Sequence, residues 1–167
     1  DPWHLDYFEQ EIGLRVVREH VEAMHYGVKV WIGHGDALDL SSRLGRRLRP
    51  VLRHPVPVTL YRNLLPGDAG QALARFVSRR FSSREPDAET AVSLRTQARR
   101  LLHTTHADLV VMGHSHTPEW HPWPEGTYGN TGAWYLDRTF IQLDENGARL
   151  QCWHDHRVVS YPLPSAT

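Results

Sequence analysis

The stretch from Asp108 to Pro118 constrains this chain more than any other. Leu109, Val110, Val111 and Met112 form a continuous apolar run, the pattern of a strand buried on both faces of an α/β sheet, and Gly113 ends it directly before His114-Ser115-His116. Polar chemistry therefore sits at a strand's carboxyl end, where loops aim side chains into a crevice while the sheet holds them rigid. Gly113 permits a tight turn there. A second stretch has the same grammar: Val28-Lys29-Val30-Trp31-Ile32, then Gly33-His34-Gly35-Asp36. Two strands thus deliver three histidines, His34, His114 and His116. A single loop histidine is more readily a hydrogen-bonded structural residue than a ligand. Three delivered by two strands favour a metal, because neutral imidazole is the commonest protein ligand for first-row transition ions.

Length and composition set the frame. The 167 residues suffice for one domain with a sizeable core, and 40% hydrophobic with 23% charged residues is a globular composition. No segment approaches the roughly twenty apolar residues of a membrane span. The single cysteine, Cys152, excludes an internal disulfide framework, which makes a cytoplasmic location the expectation. The chain opens on Asp1, so it is expected to be processed or to begin inside a longer product. Formal net charge is zero, yet residues 37–100 carry thirteen arginines against five acids. That asymmetry suits an anionic partner for the middle segment, although a solvated arginine face is the plainer reading.

The two histidine motifs resemble, in order and in position after strands, the last two metal motifs of the calcineurin-like metallophosphoesterases. Asn130-Thr131-Gly132-Ala133-Trp134, after Tyr128, resembles the Asn-x-Gly-x-Trp stretch of the branch that contains UDP-2,3-diacylglucosamine hydrolases. Asp1-Pro2-Trp3 is similar to the tail of that family's Gly-Asn-His-Asp motif. The resemblance implies an α/β fold, a calcineurin-like sandwich of two mixed β-sheets flanked by helices, of which this chain would be the C-terminal half with a basic helical cap insertion at about 37–100. It implies two divalent ions, manganese first and iron or zinc next, with His34 and His114 on one ion and His116 on the other. Asp36 and Asn130 would brace the site or meet substrate, as would Arg79 and Arg80 of the insertion. Asp1 would orient the family's catalytic histidine. The family's earlier Asp-x-His, Gly-Asp-x-x-Asp and Asn-His motifs are absent from these residues. The chain alone is therefore expected to be inactive, to need the N-terminal half of the same domain, and to leave its central strand with an unpaired edge.

The activity implied is hydrolysis of a phosphoester or pyrophosphate bond in an anionic, lipid-linked nucleotide substrate, with peripheral contact at the inner face of the membrane. Alternatives are a metallophosphoesterase acting on soluble nucleotides or phosphoproteins, and a non-catalytic scaffold. Nucleic-acid binding ranks last, because the arginine segment has only Tyr61, Phe76 and Phe81 for base stacking.

Along the chain, Leu5, Phe8 and Ile12 predict a short helix over 7–13 ended by Gly13. Residues 14–24 fit helix or strand, and a strand is preferred because Tyr26-Gly27 turns into the Val28 strand. His20 and His25 read as non-catalytic. Helices are expected around Leu44, Leu48, Val51 and Leu52, along the apolar stripe of Leu73, Phe76, Val77 and Phe81, and over 88–102. Trp120 to Gly126 reads as an aromatic loop. Strands are expected over 139–143 and 148–153 around Asn146-Gly147, with His154 and His156 at a surface edge.

Overall fold

A computed structural model of the chain describes residues 7–17, 19–39, 54–81 and 87–162, apart from the side chains of 7, 55, 58, 62, 74 and 77–81. Two compact units divide the chain, one from Asp1–Arg18 and Ser42–Arg84, the other from Glu19–Ser41 and Glu85–Thr167.

In the first unit, α1 spans Tyr7–Glu11, α2 Pro55–Leu64 and α3 Gly67–Phe81. Helix α2 was not anticipated, because Pro50 and Pro55 read as interrupting the helical spacing. Pro55 instead occupies the first helical position, where a missing N–H costs nothing, and the His54 side chain caps the helix by accepting from Val56 N at 3.3 Å. The helix expected around Leu44 to Leu52 lies outside the described residues. Of the apolar stripe on α3, Leu73 and Phe76 are exposed.

The second unit carries the histidine motifs. Its mixed sheet runs β1 (His20–His25), β2 (Val28–Gly33), β3 (Leu109–Met112), β5 (Gly126–Thr131), β4 (Pro118–Trp123) in spatial order. β1 and β2 form the expected hairpin through Tyr26-Gly27, with both turn residues at positive φ, but the strand begins at His20 and not at Leu14. β2, β3 and β5 are mutually parallel, and β4 returns antiparallel to β5. The expected aromatic loop is therefore a hairpin. Its Trp-rich, proline-bearing outer strand hides the period-two signal, and proline is tolerated on an edge strand. Central β3 is paired on both sides, contrary to the expected open edge, because β5 takes the flank opposite β2.

Helix α4 (Ala88–Thr105) covers one face of this sheet. Leu94, Ala98 and Leu102 recur at helical spacing and close on Trp31, Val110, Met112 and Tyr128, which stand on one face of three neighbouring strands. Fully burying side chains of this size contributes about 1.5–3 kcal/mol each, which makes this cluster the main source of stability in the unit. Asp87 caps α4, accepting from Glu89 N at 3.0 Å and Thr90 N at 3.3 Å, and His106 ends it in the left-handed conformation. After the short helix α5 (Trp134–Asp137), an antiparallel sheet follows, β6 (Thr139–Asp144), β7 (Gly147–His154) and β8 (Arg157–Ser160). It packs on the other face of the first sheet, where a Cβ at Gly129 would stand 2.5 Å from Ile141 Cδ1 and 2.9 Å from Trp120 Cζ3. On that same face, Val21 and Ile32, paired in register, are exposed. His154 and His156 do not share a strand face, because Asp155-His156 forms the β7–β8 turn with positive φ at both residues. Among the described residues no helix is long and apolar enough to cross a membrane.

Candidate metal centre

The register of the parallel strands decides where the histidines meet. Ile32 stands beside Val111, so the glycines and histidines that follow β2 and β3 emerge at the same end of the sheet. The two loops are joined directly, Gly113 N donating to His34 O at 3.2 Å. The His34 and His114 rings lie edge to face with centroids 5.2 Å apart. His114 and His116 both take positive φ, 65° and 57°, a conformation uncommon for residues with a Cβ and one that clusters at functional sites.

The protonation chemistry agrees with ligation. His34 has its pKa held below the ordinary imidazole range, first by burial and then by the neighbouring His114, while Asp36 pulls it the other way. A neutral ring keeps a lone pair for an ion. His116 is half-buried, its Nδ1 3.2 Å from the Tyr135 hydroxyl.

Asn130 underlies the loop. It lies abreast of Met112 on β5, is fully buried, and donates through Nδ2 to Gly113 O at 2.7 Å, Tyr128 OH at 3.0 Å and Ser115 Oγ at 3.1 Å. Its Oδ1 accepts from Gly132 N at 3.0 Å. Gly132 has φ of 66°, and a Cβ there would stand 2.7 Å from Thr139 Oγ1. The Asn-x-Gly spacing is thus explained by a side chain that clamps one loop while its own backbone turns sharply.

The sequence reading overlooked Asp39. Gly35, at φ 101°, starts a turn in which its carbonyl accepts from Leu38 N at 2.9 Å and Asp39 N at 3.0 Å. The turn returns the Asp39 carboxylate to the histidines, with Oδ2 3.6 Å from His114 Nε2. The signal was present as a second acid three residues beyond Asp36, but its burial depends on the first turn of α4, which lies some fifty residues downstream and is invisible locally.

The donor set suits a first-row divalent ion: imidazoles from two strands and carboxylates at the same sheet end. Among the described residues, however, no three His, Cys, Asp or Glu side chains gather closely enough to hold an ion by themselves. Asp1 lies outside the described residues. Arg79 and Arg80 belong to α3 in the other unit, and their side chains are likewise outside the description.

No family model matches the chain. It is 28% identical over 147 residues to proteins named UDP-2,3-diacylglucosamine hydrolase from Shewanella sp. (strain W3-18-1) and from Shewanella putrefaciens, with 86% of this chain aligned to 61% of each. The protein of the same name from Psychromonas ingrahamii is 25% identical over 111 residues, covering 65% of this chain and 45% of that one. The chain therefore spans about three-fifths or less of the length of these relatives. The crystal structure of Vps29 complexed with zinc, from Entamoeba histolytica, superposes on 87% of this chain and 60% of its own, with 11% identity and a TM-score of 0.39. An overlap that low carries no conclusion about this chain.

Proposed function

We propose that this chain contributes the distal metal-binding half of a calcineurin-like phosphohydrolase site, acting on a pyrophosphate or phosphoester bond in a UDP-2,3-diacylglucosamine-like nucleotide lipid. The observation that carries the reading is the convergence of His34 and His114 from adjacent parallel strands, with His116 two residues on. The named relatives support the hydrolase class and suggest the substrate.

In this reading His34 and His114 hold one divalent ion, His116 helps to hold a second, and Asp36 braces the His34 loop. When bound, such a pair of ions polarises the phosphoryl group and lowers the pKa of a bound water. The chain's own residues supply positioning. Asn130 keeps the Gly113 loop in one conformation, and Tyr135 restrains the His116 ring. The arginine-rich segment, Arg79 and Arg80 included, offers positive charge to an anionic, membrane-borne substrate. Asp1 retains its proposed part in orienting a general acid, and manganese is the proposed ion, with iron or zinc next.

The test is hydrolysis of detergent-dispersed UDP-2,3-diacylglucosamine and of a soluble nucleotide diphosphate by this chain combined with the N-terminal half of the same domain, with manganese, after chelation, and in His34→Ala, His114→Ala and His116→Ala variants. The expected result is metal-dependent turnover of the lipid substrate that falls by at least about 100-fold in each variant, the scale of losing a group that orients the reacting centre. Turnover indifferent to chelation and to all three substitutions would refute the assignment. Preference for the soluble substrate would move the substrate class while leaving the site intact.

A further inference from the structure

A ligating histidine has two ring nitrogens, and whichever one does not face the ion is normally held by a carboxylate or carbonyl that fixes the tautomer and raises the ring's basicity. Asp39 occupies such a place beside His114. Its carboxylate is 7% exposed as a residue and stands on the Nε2 side of the ring, at 3.6 Å. That separation is a few tenths of an ångström beyond a hydrogen bond, and contacts of this kind commonly shorten when a site is loaded.

Three features hold the carboxylate there. The Gly35 turn sets its backbone, and Gly35 cannot readily be replaced, because its φ is 101° and a Cβ would stand 3.2 Å from Leu94 Cδ2. Thr90, buried in the first turn of α4, places Oγ1 3.5 Å from Asp39 Oδ2, so the carboxylate lies against a helix N-terminus whose dipole favours an anion. That hydroxyl gives its proton to Asp87 Oδ2 at 2.8 Å, which leaves its contact with Asp39 the weaker of the two. Finally, Asp87 N donates to Ser115 O at 3.1 Å, so the start of α4 also grips the loop between the two histidines. Asp39 and the His114 loop are referenced to one rigid element.

From this arrangement we infer that Asp39 is a positioning residue that holds His114 as the Nε2–H tautomer, leaving Nδ1 as the nitrogen offered to the ion. The inference rests on the ligand role proposed above for His114. It adds the atom through which that ring binds and the residue that selects it.

The first test needs no substitution. A long-range ¹H–¹⁵N spectrum of the chain labelled at histidine, recorded at pH 8 without metal, should show His114 with a protonated Nε2 and a bare Nδ1. A bare Nε2 overturns the inference, because the ring would then present that nitrogen, beside Asp39, to the ion. The second test is cobalt(II) titration, with the N-terminal half of the domain supplied, followed by its visible d–d bands in wild type, Asp39→Asn, Asp39→Leu and His114→Ala. Loss of the carboxylate should weaken cobalt binding about 10- to 100-fold, more in Asp39→Leu than in Asp39→Asn, and shift the bands. If His114→Ala loses binding while both Asp39 variants bind as wild type, the inference fails and the ligand assignment survives. If His114→Ala itself binds as wild type, the ligand assignment fails and the inference goes with it. Should Asp39→Leu not fold, the wild-type tautomer still decides.

Discussion

Removing the Asn130 side chain should cost far more than its size suggests. In Asn130→Ala, Gly132 N loses the Oδ1 acceptor at 3.0 Å, and Tyr128 OH, in a fully buried residue, loses its contact at 3.0 Å. The Gly113 carbonyl is less affected, since Ser115 N still reaches it at 2.8 Å, and Ser115 Oγ keeps Thr117 N at 3.4 Å. One buried and one half-buried polar group are therefore stranded, at about 1–3 kcal/mol each. With a small cavity added, the expected loss is about 3–5 kcal/mol, or a fall in Tm of roughly 10 °C at this chain length. Urea unfolding followed by tryptophan fluorescence measures it directly. Tyr128→Phe serves as the calibrating variant, since it removes one partner and leaves Asn130 its others, and it should cost about 1 kcal/mol. A loss below about 1 kcal/mol in Asn130→Ala would refute the clamp and with it the account of why Asn and Gly stand two apart.

Other outcomes follow from the same geometry. Gly126→Ala places a Cβ 2.8 Å from Leu102 Cδ2 and 3.0 Å from the Ala107 and Asp108 carbonyls, at φ 141°, so it should destabilise by about 2–4 kcal/mol in the same assay. Leu94→Ala, at a fully buried position beneath the sheet, should cost about 2–5 kcal/mol; a smaller loss would mean that α4 collapses freely onto Trp31 and Val110. Glu125 has its carboxyl held below the usual range, first by the hydrogen bond from Arg99 Nε at 2.5 Å. A depressed folded value means that this contact stabilises the protein above the ordinary carboxylate pKa and loses its contribution as pH falls through the folded value. In Arg99→Met, carboxyl ¹³C titration should return Glu125 towards the ordinary range; an unchanged titration would exclude Arg99 as the cause.

The histidine loops were legible because they combine two local signals, an apolar run and an abrupt Gly-His ending, and strand register then brings them together. The β6–β7 hairpin was legible for a similar reason, since Asn146-Gly147 is a sufficient turn signal by itself. What escaped was non-local. Asp39 acquires its meaning from Thr90, β5 is recognisable as a strand only once it fills the flank of β3, and the β4 signal was masked by its prolines and tryptophans. The Asp155-His156 turn was missed because neither residue is glycine, although both adopt positive φ. Asn130 was noticed as a motif residue, but that it faces inward under the loop follows only from its pairing with Met112 and Glu119.

The outermost position of β4 bears on how this sheet meets other molecules. Pro118, Trp120 and Pro122 alternate along one side of the strand, and two of these three positions have no N–H to offer. A passing extended chain that tried to add itself there would find acceptors almost without donors, so it could not build a regular ladder. The β4 margin of the sheet is closed to self-templated growth, a protection against aggregation written into the same tryptophan-proline segment that first looked like an irregular loop.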